Sequence, residues 1–414
     1  MTGSSAGKRD TEWQDGWRPL VASTVGFGTG LGLVTYLSGL FIVPMQAESG
    51  WSISAVTISP IISLLVGLCS PLAGMMVDRW GSRPVGLTGL AMLGVSLCVL
   101  AAAPLHPWTL YGAAAGIGLV GALSSTTPFL RCVVSWFRQR TGLALGLAMN
   151  GVPVMAFLVT PVVSWVIYEH GWRAGYLALA AVSLLVGWPL VYMLLAERPD
   201  AQPRAREAGA TTLRKVLRQP AFWLVTAAIS LASIPLGGFL ANLQPMLAKS
   251  GLTIRDATAL GMVYAASIMI GRLAGGYCMD RFWDGAVALG LMLLSGIGAL
   301  MLAGLTADMP MAVLIVAVLL VGMGQGAEAD MIGYFALRLF GMAAYSTIVG
   351  AWTMAASLFL ALGGICFARI YDLSGSYAPA CLLGAACFAA SGVVLFGTRL
   401  VYRQDSGLAA LTPI

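Results

Sequence analysis

Twelve times along this 414-residue chain an apolar stretch runs on for about twenty residues or more, the length a helix needs to cross a hydrocarbon layer of roughly 30 Å. Bounded by charges and Pro/Gly clusters, the stretches fall at about 18–44, 52–77, 84–103, 107–131, 141–168, 173–196, 220–247, 256–279, 285–306, 310–337, 341–368 and 377–401. Charged residues make up only 10% of the chain and apolar ones 58%, whereas a soluble domain carries roughly 25% charge. A water-facing surface cannot be built from so few charges. The expected fold is therefore an all-α membrane protein of twelve transmembrane helices. Cys69, Cys98, Cys132, Cys278, Cys366, Cys381 and Cys387 all lie in or beside apolar stretches, without metal-ligand spacing or nearby histidines. They read as small core residues, and neither a metal nor a cofactor is expected. The first seventeen residues are polar and lack the apolar core of a secretory signal, so they read as a cytosolic tail.

The basic residues set the orientation. With the N-terminus inside, eighteen Lys and Arg residues fall on the cytosolic side, Arg79, Arg83, Arg131, Arg138 and Arg140 among them. Only Arg173, Lys249, Arg255 and Arg369 fall outside, and Arg272 lies within a span. That asymmetry is the positive-inside pattern, so the net charge of +6 reflects topology. A nucleic-acid partner, which needs basic residues gathered on one soluble face, is excluded. The one long polar segment, 197–219, contains Pro199 and Pro203 and reads as a solvated cytosolic linker. The expected organisation is a tail at 1–17, a six-helix bundle at 18–196, the linker at 197–219, a second six-helix bundle at 220–401 and a cytosolic tail at 402–414.

The two halves resemble each other at an offset of about 202 residues. LAGMMVDRW (Leu72–Trp80) aligns with AGGYCMDRF (Ala274–Phe282), and VIYEHG (Val166–Gly171) with RIYDLS (Arg369–Ser374). Duplicated halves rocking about a central site are the expected build of a transporter. GMMVDRWGSRPV (Gly74–Val85) resembles the loop motif G-x-x-x-D-R-x-G-R-[KR] of the major facilitator superfamily, with Ser82 and Arg83 in its last positions. With the twelve spans and the central loop, the resemblance covers the whole chain. Within that superfamily, DGW (Asp15–Trp17) and WFRQRTGLALGLAMNG (Trp136–Gly151) resemble stretches of monocarboxylate porters and of bacterial oxalate and formate carriers. The porters' lysine in the first helix is absent here. Gly39 matches their glycine, which puts Tyr36 where that lysine would stand.

Charge inside a bilayer costs roughly 2.5–3.5 kcal/mol per residue on insertion scales, which makes each intramembrane charge a candidate. Arg272, in MIGRLAGGY, offers a rigid donor fork that matches a carboxylate. In organic-anion members an arginine at the matching place contacts the substrate, and the resemblance gives Arg272 that role. The competing reading is an arginine that ties helices together near the cytosolic gate. In GQGAEADMIGY, Glu328 and Asp330 are about 200° apart on a helix and cannot both face one cavity. Both are proton-coupling candidates. Glu328 shares its face with Gln325 and Gly324 and is favoured, whereas Asp330, on the face of Tyr334 and Arg338, is expected in a structural hydrogen-bonded set. The bland alternative for Glu328 is simple pairing with Arg272.

By the same resemblance Gly74, Asp78, Arg79, Gly81 and Arg83 form a gating motif, Asp78 capping a neighbouring helix and the basic residues making the inner gate's ion pairs. Asp280 and Arg281 form its second copy. Further substrate-site candidates are Tyr36, Ser125, Asn242, Gln325 and Trp352, each with packing as the alternative reading. GFGTGLG (Gly26–Gly32) follows no strand, which excludes a dinucleotide site, and reads as close helix contact, as do Gly112, Gly116, Gly118 and Gly121. His106 and His170 fall in outer loops and cannot serve a midplane relay or a catalytic dyad.

No enzyme is expected. The function that follows is a secondary transporter in a bacterial inner membrane, both termini cytosolic, acting as a monomer and moving a small carboxylate together with H+. The nearest variant is an anion exchanger. Efflux of apolar drug-like compounds, and a receptor or scaffold without transport, are the remaining readings.

Overall fold

The computed structural model describes residues 5–51, 56, 58–104, 106–198, 216–306, 309–342 and 344–405. Pro199, Pro203 and the basic residues Arg204, Arg206, Arg214 and Lys215 of the linker lie outside them, as does the tail from 406. All regular structure among the described residues is helical. Ten helices are long and apolar enough to span a membrane, and a bent pair at the N-terminus makes an eleventh span. One of the ten, Thr141–Leu194, is 54 residues long and turns at Gly171 (φ 82°, ψ 171°), a left-handed conformation open to glycine. It supplies the fifth and sixth spans, which completes twelve.

Beyond the first, the spans are Ser59–Trp80, Ser82–Ala102, Pro107–Trp136, the pair in Thr141–Leu194, Pro220–Lys249, Ile254–Arg281, Asp284–Ala303, Met311–Phe340, Tyr345–Ser374 and Ala378–Asp405. The first span departs most from expectation. Helix starts at Ser5, inside the polar tail, runs to Gly28, and resumes as Leu31–Leu37 and Gly39–Ser49. The tail segment is anchored. Trp13 meets the Phe137 ring edge-on at 5.0 Å, and Glu12 accepts hydrogen bonds from the amides of Arg138 and Gln139.

Two other expected continuous helices are interrupted. The fourth passes through a tight 3-10 turn at Ala122–Ser124 and restarts at Thr126 after the extended Ser125, and the fifth breaks at Asn150 between Thr141–Met149 and Gly151. Proline explains both. Pro128 and Pro153 have no N–H to bond the carbonyl four residues earlier, so each ladder lapses there and a new helix begins two residues before the ring. The three interruptions touch. A side chain at Gly30 would strike the Ser124 carbonyl, and one at Gly28 the backbone of Gly151.

By internal packing the chain divides into two units. The first is Met1–Thr212 with Ala336–Met354, and the second is Leu213–Phe335 with Ala355–Ile414. In the first, Phe41 stacks on Tyr176 at 4.0 Å within the main apolar cluster. In the second, small residues bring spans together at backbone distance: Gly237 and Gly363 join the seventh and eleventh, and Gly271, Gly322 and Gly326 join the eighth and tenth. Gly26, Gly28, Gly30, Gly32, Gly118 and Gly121 likewise abut neighbouring spans. Gly112 and Gly116 do not, because both face open space, and the close-contact reading is corrected for them.

Candidate functional site

Two groups of charged side chains lie inside the helical layer, one in each unit. The first unit holds a hub on Arg131, a residue only 1% exposed. Its guanidinium is ion-paired with Asp78 and, at 3.3 Å, with Glu197. It also donates to Ser346 Oγ at 3.3 Å. Asp78 takes the amide of Ser346 (3.2 Å), the amide of Thr347 (2.8 Å) and the Thr347 hydroxyl (2.6 Å). These are the first turn of Tyr345–Ser374, where the exposed N–H groups and the helix dipole both favour an anion. Glu197 in turn accepts the Ser82 amide at 2.5 Å, at the start of the third span. Gly74 is required beside the hub, because a side chain there would strike the Ser346 carbonyl.

This geometry corrects several expectations. Arg131, counted with the basic residues of the cytosolic side, is buried. Glu197, counted as the start of a solvated linker, is buried too. The motif's own basic residues do not make the ion pairs among the described residues: Arg79 is exposed, its guanidinium 5.9 Å from the Trp80 ring, and Arg83 donates to the Tyr192 carbonyl at 2.6 Å and lies over that ring. Gly81 adopts φ 89° where the second span turns into the third. In the second copy of the motif Asp280 is half-buried and Arg281 exposed.

The second unit carries Arg272, Glu328 and Asp330. Gly326 sits against the Ile268 carbonyl and the Arg272 amide, and Gly271 against the Met323 backbone, so the eighth and tenth spans cross at the arginine. Its charge acts on both carboxylates. Glu328 is buried and accepts a hydrogen bond from Ser233 of the seventh span at 3.1 Å. Asp330 is wholly buried, and neither carboxylate oxygen has a hydrogen-bond partner. The expected structural hydrogen-bonded set around Asp330 is therefore absent among the described residues, since the Tyr334 hydroxyl donates instead to the Met279 carbonyl at 2.8 Å.

The remaining candidates scatter. Asn242 uses its amide on the carbonyls of Gly238 (3.0 Å) and Gly364 (3.1 Å), and Gln244 on that of Ala257. Both read as helix-tying groups. Gln325 accepts from Tyr264 of the eighth span. Ser125 donates to the Ala122 carbonyl at 2.6 Å and belongs to the break in the fourth span. Trp352 has no exposed surface and packs edge-on to Phe340 at 5.9 Å, which makes it a core residue. Tyr36 is 57% exposed. Sequence reasoning missed Arg131, Glu197, Ser346 and Thr347. An arginine midway between Pro128 and the cytosolic motif, on a segment otherwise apolar, was the available signal.

Comparison with known proteins agrees with this architecture. The family profile described as Major Facilitator Superfamily matches residues 22–364. Monocarboxylate transporter 13 of Rattus norvegicus is 29% identical over 392 residues, covering 92% of this chain and 89% of its own. Monocarboxylate transporter 11 of Mus musculus is 30% identical over 295 residues, 68% of this chain and 63% of its own. Among solved structures, the Escherichia coli fucose:proton symporter superimposes with a TM-score of 0.71 at 15% identity, over 92% of this chain and 98% of the symporter. The human organic anion transporter TETRAN superimposes with a TM-score of 0.69 at 13% identity, over 92% and 99%. At those identities the structures speak for the fold. The relatives and the structural neighbours are transporters, not enzymes.

Proposed function

The chain belongs to the major facilitator superfamily, and from that premise we propose that it carries small organic anions of the monocarboxylate kind, coupled to protons, by alternating access of two six-helix halves. One observation supports this above the rest: a fixed cation, Arg272, and two carboxylates, Glu328 and Asp330, share one crossing of apolar spans. Arginine stays charged at every accessible pH, and ions at such depth mark transport paths. It is suited to hold an entering carboxylate in a bidentate pair. A proton on the carboxylates beside it offsets the anion's charge, so that anion and H+ cross as a neutral pair. Similarity to monocarboxylate transporters 13 and 11 supports the substrate class, and likeness to a fucose:proton symporter supports protons as the coupling ion. The excess of basic residues on one side supports both termini being cytosolic; a bacterial inner membrane and a single chain as the working unit belong to the same proposal.

Reconstituted protein tests the reading. Counterflow in proteoliposomes, with mono-, di- and aromatic carboxylates beside a lipophilic cation, is expected to select small monocarboxylates and to fail in Arg272→Ala. Unimpaired carboxylate counterflow in that variant would remove Arg272 from the site. Because Arg272 is permanently charged, exchange of one anion for another is the second reading. It is distinguished by flux that persists unchanged when the pH gradient is collapsed.

A further inference from the structure

We infer that the transported proton resides on Asp330 rather than on Glu328, and that Glu328 stays ionised within the field of Arg272. This inference rests on the coupling just proposed and assigns its atoms. The two carboxylates differ in what surrounds them. Glu328 has the Ser233 hydroxyl at 3.1 Å, a donor from another span. Asp330, one residue beyond the next, is sealed from solvent, and both its oxygens lack any donor.

A buried carboxylate left without hydrogen bonds is among the costliest arrangements a protein can hold, whereas a neutral acid in the same place loses only the hydrogen bond its hydroxyl would make. The charged groups acting on Asp330 are Arg272 of the eighth span and Glu328 of its own helix. One cation beside two carboxylates balances only when one of them is protonated, and the position without donors is the one where the neutral form costs least. Asp330 lies about 15 Å along the helix from its Phe340 end, deep enough to exclude water until the site opens. On release the Asp330 O–H bond breaks, the proton passes to water on the open side, and the carboxylate left behind shares Arg272 with Glu328, leaving an excess negative charge that favours taking up the next proton. An anionic substrate and a deprotonated Asp330 then compete for one guanidinium, which couples the two fluxes without contact between them.

Two measurements on the full-length protein in lipid test this. In pH-difference infrared spectra, the carbonyl band of a protonated carboxyl is expected to vanish in Asp330→Asn and to survive in Glu328→Gln. A band that survives the first substitution, or vanishes in the second alone, overturns the assignment. Thermal unfolding supplies the companion readout. The amide is the neutral isostere of a protonated acid, so Asp330→Asn is expected to melt near the parent temperature and Glu328→Gln to melt lower, since it removes a negative charge that offsets Arg272. The opposite order overturns the inference. Uptake of lactate driven by an imposed pH gradient should then be lost in Asp330→Asn while lactate counterflow remains; loss of both, or of neither, counts against it. If the parent protein moves lactate with no proton, the coupling reading fails separately, while the infrared and melting results still decide which carboxyl is protonated.

Discussion

The hub on Arg131 and the crossing at Arg272 are both buried groups of one arginine and two carboxylates, yet they are finished differently. Around Arg131 the carboxylates are well supplied: Asp78 receives two amides, a hydroxyl and the guanidinium, and Glu197 an amide as well, while the arginine's Nε makes no hydrogen bond among the described residues. Around Arg272 one carboxylate has a single hydroxyl donor and the other none. A well-satisfied polar network rigidifies its surroundings, whereas a polar group left unpaired in a low-dielectric interior is costly. The contrast is between a group tied closely to a neighbouring helix end and one that is sparsely bonded.

Breaking the first group has the larger effect on stability. Arg131→Met leaves Asp78 and Glu197 buried without their shared cation, and loss of one partner from such a group costs about 3–5 kcal/mol. The expected outcome is a large fall in melting temperature in detergent, and an unshifted melt would show that the hub does not hold the fold.

A second variant probes the crossing through its backbone. Gly326→Ala puts a methyl against the Ile268 carbonyl and the Arg272 amide, and overpacking of that kind costs about 1–3 kcal/mol. Reduced carboxylate uptake is expected with it, because the two spans must separate at the arginine. Gly116→Ala, which meets open space, is the control and should be neutral in both assays.

The smallest effect lies outside the spans. Glu48 accepts from Arg173 and from the Trp172 indole, each at 2.6 Å. The Arg173 hydrogen bond, then that of Trp172, holds its carboxyl below the ordinary value of 4.5. A lowered carboxyl stabilises the fold fully above that value, and the contribution disappears as pH falls through the depressed one. Both partners are more than a third exposed, so the effect is about 0.5 kcal/mol. The acid limb of a melting-temperature profile should be slightly flatter in Glu48→Gln, and an identical limb would remove the pair from the account.

The membrane character, the number of spans and the family were legible because burial in lipid is written in composition and run length, which need no knowledge of the fold. Arg272, Glu328 and Asp330 were legible for the same reason, as charges where none is cheap. What surrounds them was not. Helix faces favoured Glu328 over Asp330 as the coupling group, but the donor that separates their surroundings, Ser233, lies some hundred residues away in sequence. Arg131 was misplaced because a charge in the last turns of a span looks the same whether it points to the cytosol or inward to Asp78. The breaks at Ser125 and Asn150 had a signal in Pro128 and Pro153, but a single proline is often carried inside a membrane helix, as Pro161 is here. Only the neighbours Gly30 and Gly151 make the interruptions a shared feature.

Those touching interruptions have a mechanical meaning. A continuous helix carries a twist from one leaflet to the other as a rod does. Where the first, fourth and fifth spans each lapse against one another, that torque has a place to dissipate. The first half of the molecule thus contains a joint built of main chain, whose position was set by where two proline rings and three glycines fell.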